Sequence, residues 1–285
     1  MTKKNSFSWI NCAATALLAY FFTVPFHEFL HFLTYYVYGD KVAYFSAGAV
    51  ESVGLVNIAD LPTFHKIMLA GGSASIINTI IAVVLIIVLL KMKLKPTVRL
   101  FLTQLMGAQF VQGIGYFLIG GLFCAGDWGN VFSYFPDDSG LVAVMRIVLS
   151  VLGCSGILVL MFLLNHLSYH FIENNSDKAD RRNVAFKLHL TVFVSGVIIG
   201  TICSLMSPAV KSGYLSLGVC MLFNLMWIPF FWAWLYTWFM VKPPKKSRFK
   251  SKLPEKPNYV LWVSAIALIL IDIFVFGPGI TVNGI

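Results

Sequence analysis

Long apolar stretches alternate with short polar or basic segments along nearly the whole chain. A helix that crosses a lipid bilayer needs about 20 mostly apolar residues. Several stretches reach that length, so the pattern predicts an all-α integral membrane protein with about seven transmembrane helices. The predicted helices lie at Phe7–Tyr38, Lys66–Leu90, Pro96–Cys124, Leu141–Leu164, Leu188–Met206, Tyr214–Val241 and Tyr259–Phe276.

The segment between the first two predicted helices, Asp40–Thr63, has a different pattern. It is rich in β-branched and aromatic residues, and Gly48 and Gly54 interrupt it. Such a composition favours short strands joined by turns. We therefore predict a small β-hairpin or re-entrant segment after the first helix, at the outer face of the membrane. An exposed strand edge there would let an unwound peptide pair through its main chain.

The composition agrees with a membrane protein and excludes an ordinary soluble domain. Hydrophobic residues make up 58% of the 285 residues and charged residues only 12%, whereas a soluble domain has about 25% charged residues. Such a chain has too few polar groups to cover its apolar surface. The lipid bilayer is therefore its expected solvent and partner.

The net charge of +9 does not indicate a nucleic-acid partner, because the basic residues fall in short runs between apolar stretches. Loops rich in lysine and arginine lie on the cytoplasmic side of membranes. With seven helices, all these runs share the cytoplasmic side if the N-terminus is cytoplasmic and the C-terminus is outside. We predict this topology, in the plasma membrane of a bacterium. The runs lie at 3–4, 91–99, 178–187 and 242–256.

The first predicted helix contains the sequence His27-Glu-Phe-Leu-His31. Two histidines four residues apart face the same side of a helix, so both rings can bind one zinc ion. Glu28 then lies beside the metal, where its carboxylate can act as general base towards a water molecule. Ionisable groups inside a membrane helix are costly unless they are functional or paired. The motif therefore predicts a Zn²⁺ site rather than polar groups that only line a helix interface.

A zinc ion in a peptidase usually has three protein ligands and one water molecule. Asp127, which follows the third predicted helix, is the favoured third ligand because it shares the outer half of the membrane with the two histidines. We expect it to reach them if the third helix unwinds near Gly120 and Gly121, since glycine allows sharp bends. The other candidates are His65, Asp40, Asp60, Glu51 and Asp272.

Two further features concern the shape of this region. Pro25 precedes His27 and removes one main-chain hydrogen bond, so it predicts a bend in the first helix that would admit water to the site. Asp272 and Arg146 lie near the outer ends of their predicted helices. We expect these two opposite charges to form an ion pair within the membrane.

Three segments together resemble the site-2 protease family of intramembrane zinc metallopeptidases. The first is the motif His27–His31, the second is the glycine-rich stretch Ala70–Asn78, and the third is Asp127. That family joins HExxH on one membrane helix to a glycine-rich second helix with an asparagine, and to an aspartate ligand on a third. The resemblance implies that Asp127 binds zinc and that Asn78 positions the substrate main chain. For Asn78, a plain hydrogen bond between helices is the alternative.

The resemblance also implies a division of the chain and a substrate class. Residues 1–130 would form a catalytic core of three transmembrane helices with the zinc site. Residues 131–285 would add four transmembrane helices with basic cytoplasmic loops. The expected activity is that of a zinc metalloendopeptidase that hydrolyses membrane-anchored proteins or peptides in or near the membrane, with Glu28 as general base.

Two other interpretations remain open. A CAAX-type prenyl protease also combines HExxH with several membrane helices, and its third ligand, a glutamate, would come from Glu173–Asp177. A non-catalytic zinc-binding membrane protein, either a degenerate protease or a transporter-like protein, would keep the histidines without the reaction. The intact Glu28 argues against degeneration, and the scarcity of ionisable groups in the other helices argues against a transporter.

Overall fold

The computed structural model describes residues 8–136, 140–172, 178–211, 218, 224–239 and 256–282. Within these residues, 6 helices are long and apolar enough to cross a membrane, which is compatible with a multi-pass membrane protein. The predicted helix Tyr214–Val241 lies partly outside the described residues, and its described part contains a shorter apolar helix, Leu225–Tyr236. The six spans are Trp9–Val37, Thr63–Lys91, Pro96–Phe123, Leu141–Phe171, Arg182–Met206 and Tyr259–Phe276.

The protein is mostly helical, with one small sheet. The α-helices of the described residues are α1 (Ser8–Phe21), α2 (Val24–Val37), α3 (Thr63–Ile67), α4 (Ser73–Lys91), α5 (Pro96–Phe123), α6 (Gly126–Ser133), α7 (Leu141–Ser168), α8 (Lys178–Ala185), α9 (Thr191–Met206), α10 (Pro208–Lys211), α11 (Ile228–Phe239) and α12 (Tyr259–Ile271). The strands are β1 (Val42–Phe45), β2 (Val50–Ser52) and β3 (Ile280–Thr281). Turns of π-helix lie at Met68–Gly72, Phe186–Leu190 and Asp272–Phe276.

The first membrane span is interrupted just before the histidine motif. It consists of α1 and α2, so the span predicted for Phe7–Tyr38 is present at Trp9–Val37 but is not one continuous α-helix, and the interruption lies where Pro25 predicts a bend. Pro25 belongs to the first turn of α2, where a missing N–H group costs little because that turn has no helical acceptors. The N–H group of His27 then donates to the carbonyl oxygen of Thr23 at 2.9 Å.

The second span is broken at a glycine. Between α3 and α4, Gly71 has a φ of 141°, which residues with a Cβ atom rarely adopt. The absence of a side chain also makes room for another segment of main chain. A Cβ atom at Gly71 would lie only 2.9 Å from the carbonyl oxygen of Asp127. This break is therefore the place where the segment with Asp127 approaches the second span.

The predicted hairpin is present, and a third strand joins it. β1 lies in the middle of the sheet and pairs with both β2 and β3 in antiparallel fashion. The pairing of Phe45 with Ile280 connects residues that are far apart in sequence, and the sequence pattern does not reveal it. Because both edges of β1 are paired, a free strand edge for an unwound peptide can belong only to the outer strands of this sheet, β2 and β3.

The helix α5 lies at the centre of the bundle, and it is the most buried of the six spans. It packs against α1, α4, α6 and α7. Its contact with α4 is close, because a Cβ atom at Gly113 would collide with the side chain of Thr79. Large apolar side chains on α4, α7 and α12 are exposed, among them Val84, Ile147 and Val263. Such outward-facing apolar side chains suit contact with lipid tails.

The expected ion pair between Arg146 and Asp272 does not form. The guanidinium of Arg146 donates from Nε to the carbonyl oxygen of Gly121 at 3.2 Å and from Nη2 to that of Leu122 at 3.3 Å. Carbonyl groups at the end of a helix lack helical donors, so the last turn of α5 offers this arginine ready acceptors. Asp272 instead accepts a hydrogen bond from the thiol of Cys203, with a sulfur–oxygen distance of 3.6 Å.

Candidate metal centre

The helix α2 places three ionisable side chains of the motif in the interior of the protein. The exposed fractions of His27, Glu28 and His31 are 1%, 7% and 9%. The two histidines lie on the same side of α2 because they are four residues apart. The centroids of their rings are 4.9 Å apart. The HExxH spacing thus produces two neighbouring imidazole rings, as the sequence predicts.

Asp127 reaches the histidines because the chain turns back after α5. This helix continues past Gly120 and Gly121 without unwinding, so Asp127 reaches the histidines without the condition that the sequence suggested. The turn is made instead by Cys124, which has a left-handed φ of 51°, and by Gly126, with a φ of 65°. The short helix α6 follows at once, with Asp127 in its first turn.

Two side-chain hydrogen bonds hold α6 against the beginning of α4. The indole Nε1 of Trp128 donates to Oγ of Ser75 at 3.0 Å. The amide Nδ2 of Asn130 donates to the carbonyl oxygen of Ala70 at 2.6 Å. These bonds lie on either side of the close approach between Gly71 and the main chain of α6. The glycine-rich stretch of the second span therefore serves as the surface on which the aspartate segment packs.

The side chains of His27, His31 and Asp127 form one compact group, here called the metal cluster. Oδ2 of Asp127 lies 3.0 Å from Nε2 of His27 and 3.4 Å from Nε2 of His31. One ligand atom of each residue lies within 4.8 Å of the other two. Burial alone would raise the pKa of Asp127, but the nearby imidazoles of His31 and His27 outweigh burial and hold this pKa below its ordinary value.

This set of donors fits a zinc ion. Zinc binds imidazole nitrogen and carboxylate oxygen at about 2.0–2.2 Å, most often with tetrahedral geometry. Neighbouring ligand atoms in such a tetrahedron are roughly 3.3–3.6 Å apart, as those bond lengths require. The separations from Oδ2 of Asp127 to the two histidines, 3.0 and 3.4 Å, are close to this range. Three protein ligands also leave a fourth position for water or substrate.

The other candidates for third ligand do not join the cluster. Among the described residues, the metal cluster is the group of three that lies close enough to hold an ion. Asp40 accepts hydrogen bonds from the N–H groups of Lys41 and Leu55, at 2.8 and 3.0 Å, and so stabilises the hairpin segment. Asp60 is exposed and accepts a hydrogen bond from Asn57. The remaining candidates outside the cluster are His65, Glu51 and Asp272.

Asn78 lies directly beside the metal cluster, fully buried on α4. Its side-chain amide is 3.0 Å from Nδ1 of His27, whereas Asp127 faces Nε2 of the same ring. The alternative given by the sequence, a hydrogen bond between helices, is confirmed. Its partner is a histidine of the motif, and no sequence signal identifies that partner, because the pairing depends on how α2 packs against α4.

A cavity of about 90 Å³ adjoins Glu28. Side chains from α1, α2, α5 and α9 line it, together with the turn that joins β1 to β2. Tyr116 of α5 lines the cavity and also stacks on the ring of His27, with ring centroids 4.7 Å apart. Gln112, one turn earlier, is buried, and its Oε1 has no hydrogen-bond partner among the described residues. The sequence alone does not indicate that Tyr116 would stack on a histidine of the motif, because tyrosine is not unusual in a membrane helix.

Replacing Gly71 with alanine is expected to disturb the metal cluster. The new Cβ atom would strain the backbone, at about 1–3 kcal/mol, and would push against the main chain at Asp127. We expect zinc affinity to fall about 10-fold to 100-fold, as for residues that support metal ligands, when measured by competition with a chelator. Gly54→Ala is the matched control, because Gly54 also has a positive φ but no atom near its Cβ position. Equal zinc affinity in the two variants would contradict the role of Gly71.

The segment Glu173–Asp177, the source of the third ligand in a CAAX-type protease, lies outside the described residues. The described residues bear on that alternative only through Asp127, whose carboxylate lies close enough to the two histidines to serve as a third ligand. The chain matches no protein-family model, no curated protein and no solved structure.

Proposed function

We propose that this protein is a membrane-embedded zinc metalloprotease that hydrolyses peptide bonds of membrane-anchored proteins or peptides, in or near the membrane. The metal cluster carries the proposal. The buried ionisable residues of an HExxH motif meet a carboxylate 100 residues away in sequence, and the two histidines and this aspartate offer the kinds of donor atom that bind zinc. The resemblance of these residues to the site-2 protease family supports the same assignment.

Each residue of the site has a distinct role in this proposal. His27, His31 and Asp127 would hold the Zn²⁺ ion. A bound zinc ion polarises a carbonyl group and lowers the pKa of a water molecule towards neutrality. Glu28 lines the cavity beside the metal cluster, so its carboxylate can accept a proton from the attacking water and deliver it to the leaving amine.

The residues around the cavity support the proposal that the substrate binds in an unwound conformation. A helix in lipid keeps its peptide groups in main-chain hydrogen bonds, so a membrane-anchored substrate must unwind before hydrolysis. Gln112 lines the cavity, and its buried Oε1 lacks a hydrogen-bond partner among the described residues. If the side chain turned this oxygen into the cavity, the oxygen could accept a hydrogen bond from an N–H group of an unwound substrate. The walls also include the turn at Ala47 and Gly48.

We extend the proposal to topology and domain organisation. A seventh transmembrane helix in the region Tyr214–Val241 would place every basic run on the cytoplasmic side, with the N-terminus cytoplasmic and the C-terminus outside. Residues 1–130 would form the catalytic core, and residues 131–285 would supply the remaining spans. This arrangement corresponds to a protein of the bacterial plasma membrane.

The zinc content of the detergent-purified protein tests the metal site. We expect about one zinc ion per chain in the wild type and almost none in His31→Ala, because that variant loses one of the two imidazole ligands. Elemental analysis of protein and metal in the same sample measures this ratio. His65→Ala is the matched control, since His65 is exposed and lies outside the metal cluster.

Two outcomes would contradict this metal site. Folded wild-type protein without zinc, even after incubation with a slight excess of Zn²⁺, would remove the basis of the proposal. Equal zinc content in the wild type and His31→Ala would show that zinc binds elsewhere in the chain.

A further inference from the structure

The contact between Asn78 and His27 leaves one buried polar atom unsatisfied. The amide of Asn78 is 3.0 Å from Nδ1 of the ring. When its nitrogen faces the ring, the carboxamide oxygen is buried and has no hydrogen-bond partner among the described residues. A buried amide oxygen without a donor is unfavourable. The observed contact therefore does not use the hydrogen-bonding capacity of Asn78 fully.

The direction of this hydrogen bond decides which ring nitrogen of His27 can bind a metal. A neutral imidazole has one N–H group and one nitrogen with a free lone pair. If Asn78 donates to Nδ1, the proton of the ring is on Nε2, and Nε2 has no lone pair for a metal. If Asn78 accepts from Nδ1–H, the lone pair of Nε2 is free and faces Asp127.

The packing around the His27 ring leaves it little freedom to turn over and exchange the positions of its two nitrogen atoms. His27 is 1% exposed, and the ring of Tyr116 is stacked against it with an angle of 20° between the planes. Asp127 lies beside Nε2 and Asn78 beside Nδ1. The two ends of a carboxamide have nearly the same shape, so rotation of the amide by half a turn exchanges donor and acceptor without moving the helices.

We propose that Asn78 is a positioning residue that selects the metal-binding tautomer of His27. In the zinc-loaded protein, Oδ1 of Asn78 accepts the hydrogen bond from Nδ1–H, and Nε2 is left free to bind Zn²⁺. A histidine that binds a metal usually donates its other N–H group to an acceptor of this kind. This inference rests on the proposed zinc site, and it assigns Asn78 a role towards the metal ligand rather than towards the substrate.

Two substitutions of similar size separate this role from helix packing. Asn78→Asp keeps an acceptor and removes the donor, whereas Asn78→Leu keeps the volume and removes both. We expect zinc affinity within a few-fold of the wild type for Asn78→Asp, and a loss of about 10-fold to 100-fold for Asn78→Leu. The measurement is competition for Zn²⁺ between a chelator and the full-length protein in detergent.

Thr34→Val provides the matched control. Oγ1 of Thr34 donates to Oγ of Ser73 at 2.9 Å, so it also links α2 to α4, and its hydrogen bonds are to Ser73 and Leu30 rather than to the histidine rings. This variant should keep wild-type zinc affinity. Thermal unfolding of the metal-free proteins shows whether any variant has lost its fold, and ¹⁵N chemical shifts of the histidine rings in zinc-loaded protein report the protonated nitrogen directly.

The possible outcomes separate this inference from the proposed function. Wild-type protein that binds zinc with Nδ1 of His27 protonated, together with the expected difference between Asn78→Asp and Asn78→Leu, supports the role of Asn78. If the wild type binds zinc, two results would overturn the role of Asn78 alone. One is that Asn78→Leu binds zinc as tightly as the wild type, and the other is that Asn78→Asp binds it as weakly as Asn78→Leu. Wild-type protein that binds no zinc overturns both proposals.

Discussion

Replacing Glu28 with glutamine is expected to stop peptide-bond hydrolysis while the zinc content of the protein stays the same. Glutamine has almost the same shape as glutamate, but it cannot accept a proton from water. A general base contributes roughly 10²-fold to 10⁴-fold to the rate, so at most about 1% of the activity should remain. Zinc binding should persist because the ligand atoms belong to the other side chains of the site.

Labelling of new protein N-termini measures this loss for any substrate protein in the membrane, whatever its identity. Membrane fractions of cells that produce the wild type are compared with those of cells that produce equal amounts of Glu28→Gln. Cleavage products should appear only with the wild type and with the control Glu51→Gln, since Glu51 is exposed on β2. Identical sets of N-termini for the wild type and Glu28→Gln would contradict the protease assignment, and a non-catalytic zinc protein would then be the better description.

Replacing Asp127 with alanine is expected to lower zinc affinity by at least about 100-fold. Substitution of residues that only support a metal ligand already lowers metal affinity about 10-fold to 100-fold. The Asp127→Ala variant would lose a ligand atom itself. Its Oδ2 is the atom that contacts both imidazoles. The change also removes the negative charge that balances part of the charge of the ion.

Chelator competition with detergent-purified protein provides the affinity. Asp60→Ala serves as control, because Asp60 is exposed and pairs with Asn57 rather than with the metal cluster. Asp127→Asn, which keeps the size of the side chain, separates loss of the carboxylate from loss of packing, and it should bind zinc almost as weakly as Asp127→Ala. Unchanged affinity in both Asp127 variants would contradict its role as ligand and return the third position to the other candidates.

The parts of this protein that depend on local sequence were predictable. Apolar runs identify the spans because the bilayer selects for length and hydropathy alone. The relation between His27 and His31 follows from the period of an α-helix, which is independent of the tertiary fold. Pro25 likewise indicates the interruption of the first span, because the effect of proline on the main chain is local.

The parts that depend on contacts between distant segments were not fully predictable. Asp127 lies beside the two histidines, as the sequence suggests, but the path of the chain to that position was not predictable, because the turn at Cys124 and the packing of α6 on Gly71 arise from tertiary contacts. The hydrogen bond of Asn78 to His27 depends on the rotation of α4 relative to α2. The expected pair of Arg146 with Asp272 fails because charge alone does not reveal the competing carbonyl acceptors of α5.

The pairing of β1 with β3 has a consequence for the order in which the site is completed during synthesis. A chain emerges from the ribosome from its N-terminus, so all three side chains of the metal cluster exist once Asp127 has been added. The turn at Ala47 and Gly48 belongs to the cavity wall, and the N–H group of Ala47 donates to the carbonyl oxygen of Phe276 at 2.9 Å. Under the proposed function, the nascent protein would therefore have its metal-binding side chains long before the cavity beside Glu28 can close, so it could acquire the metal before it acquires activity.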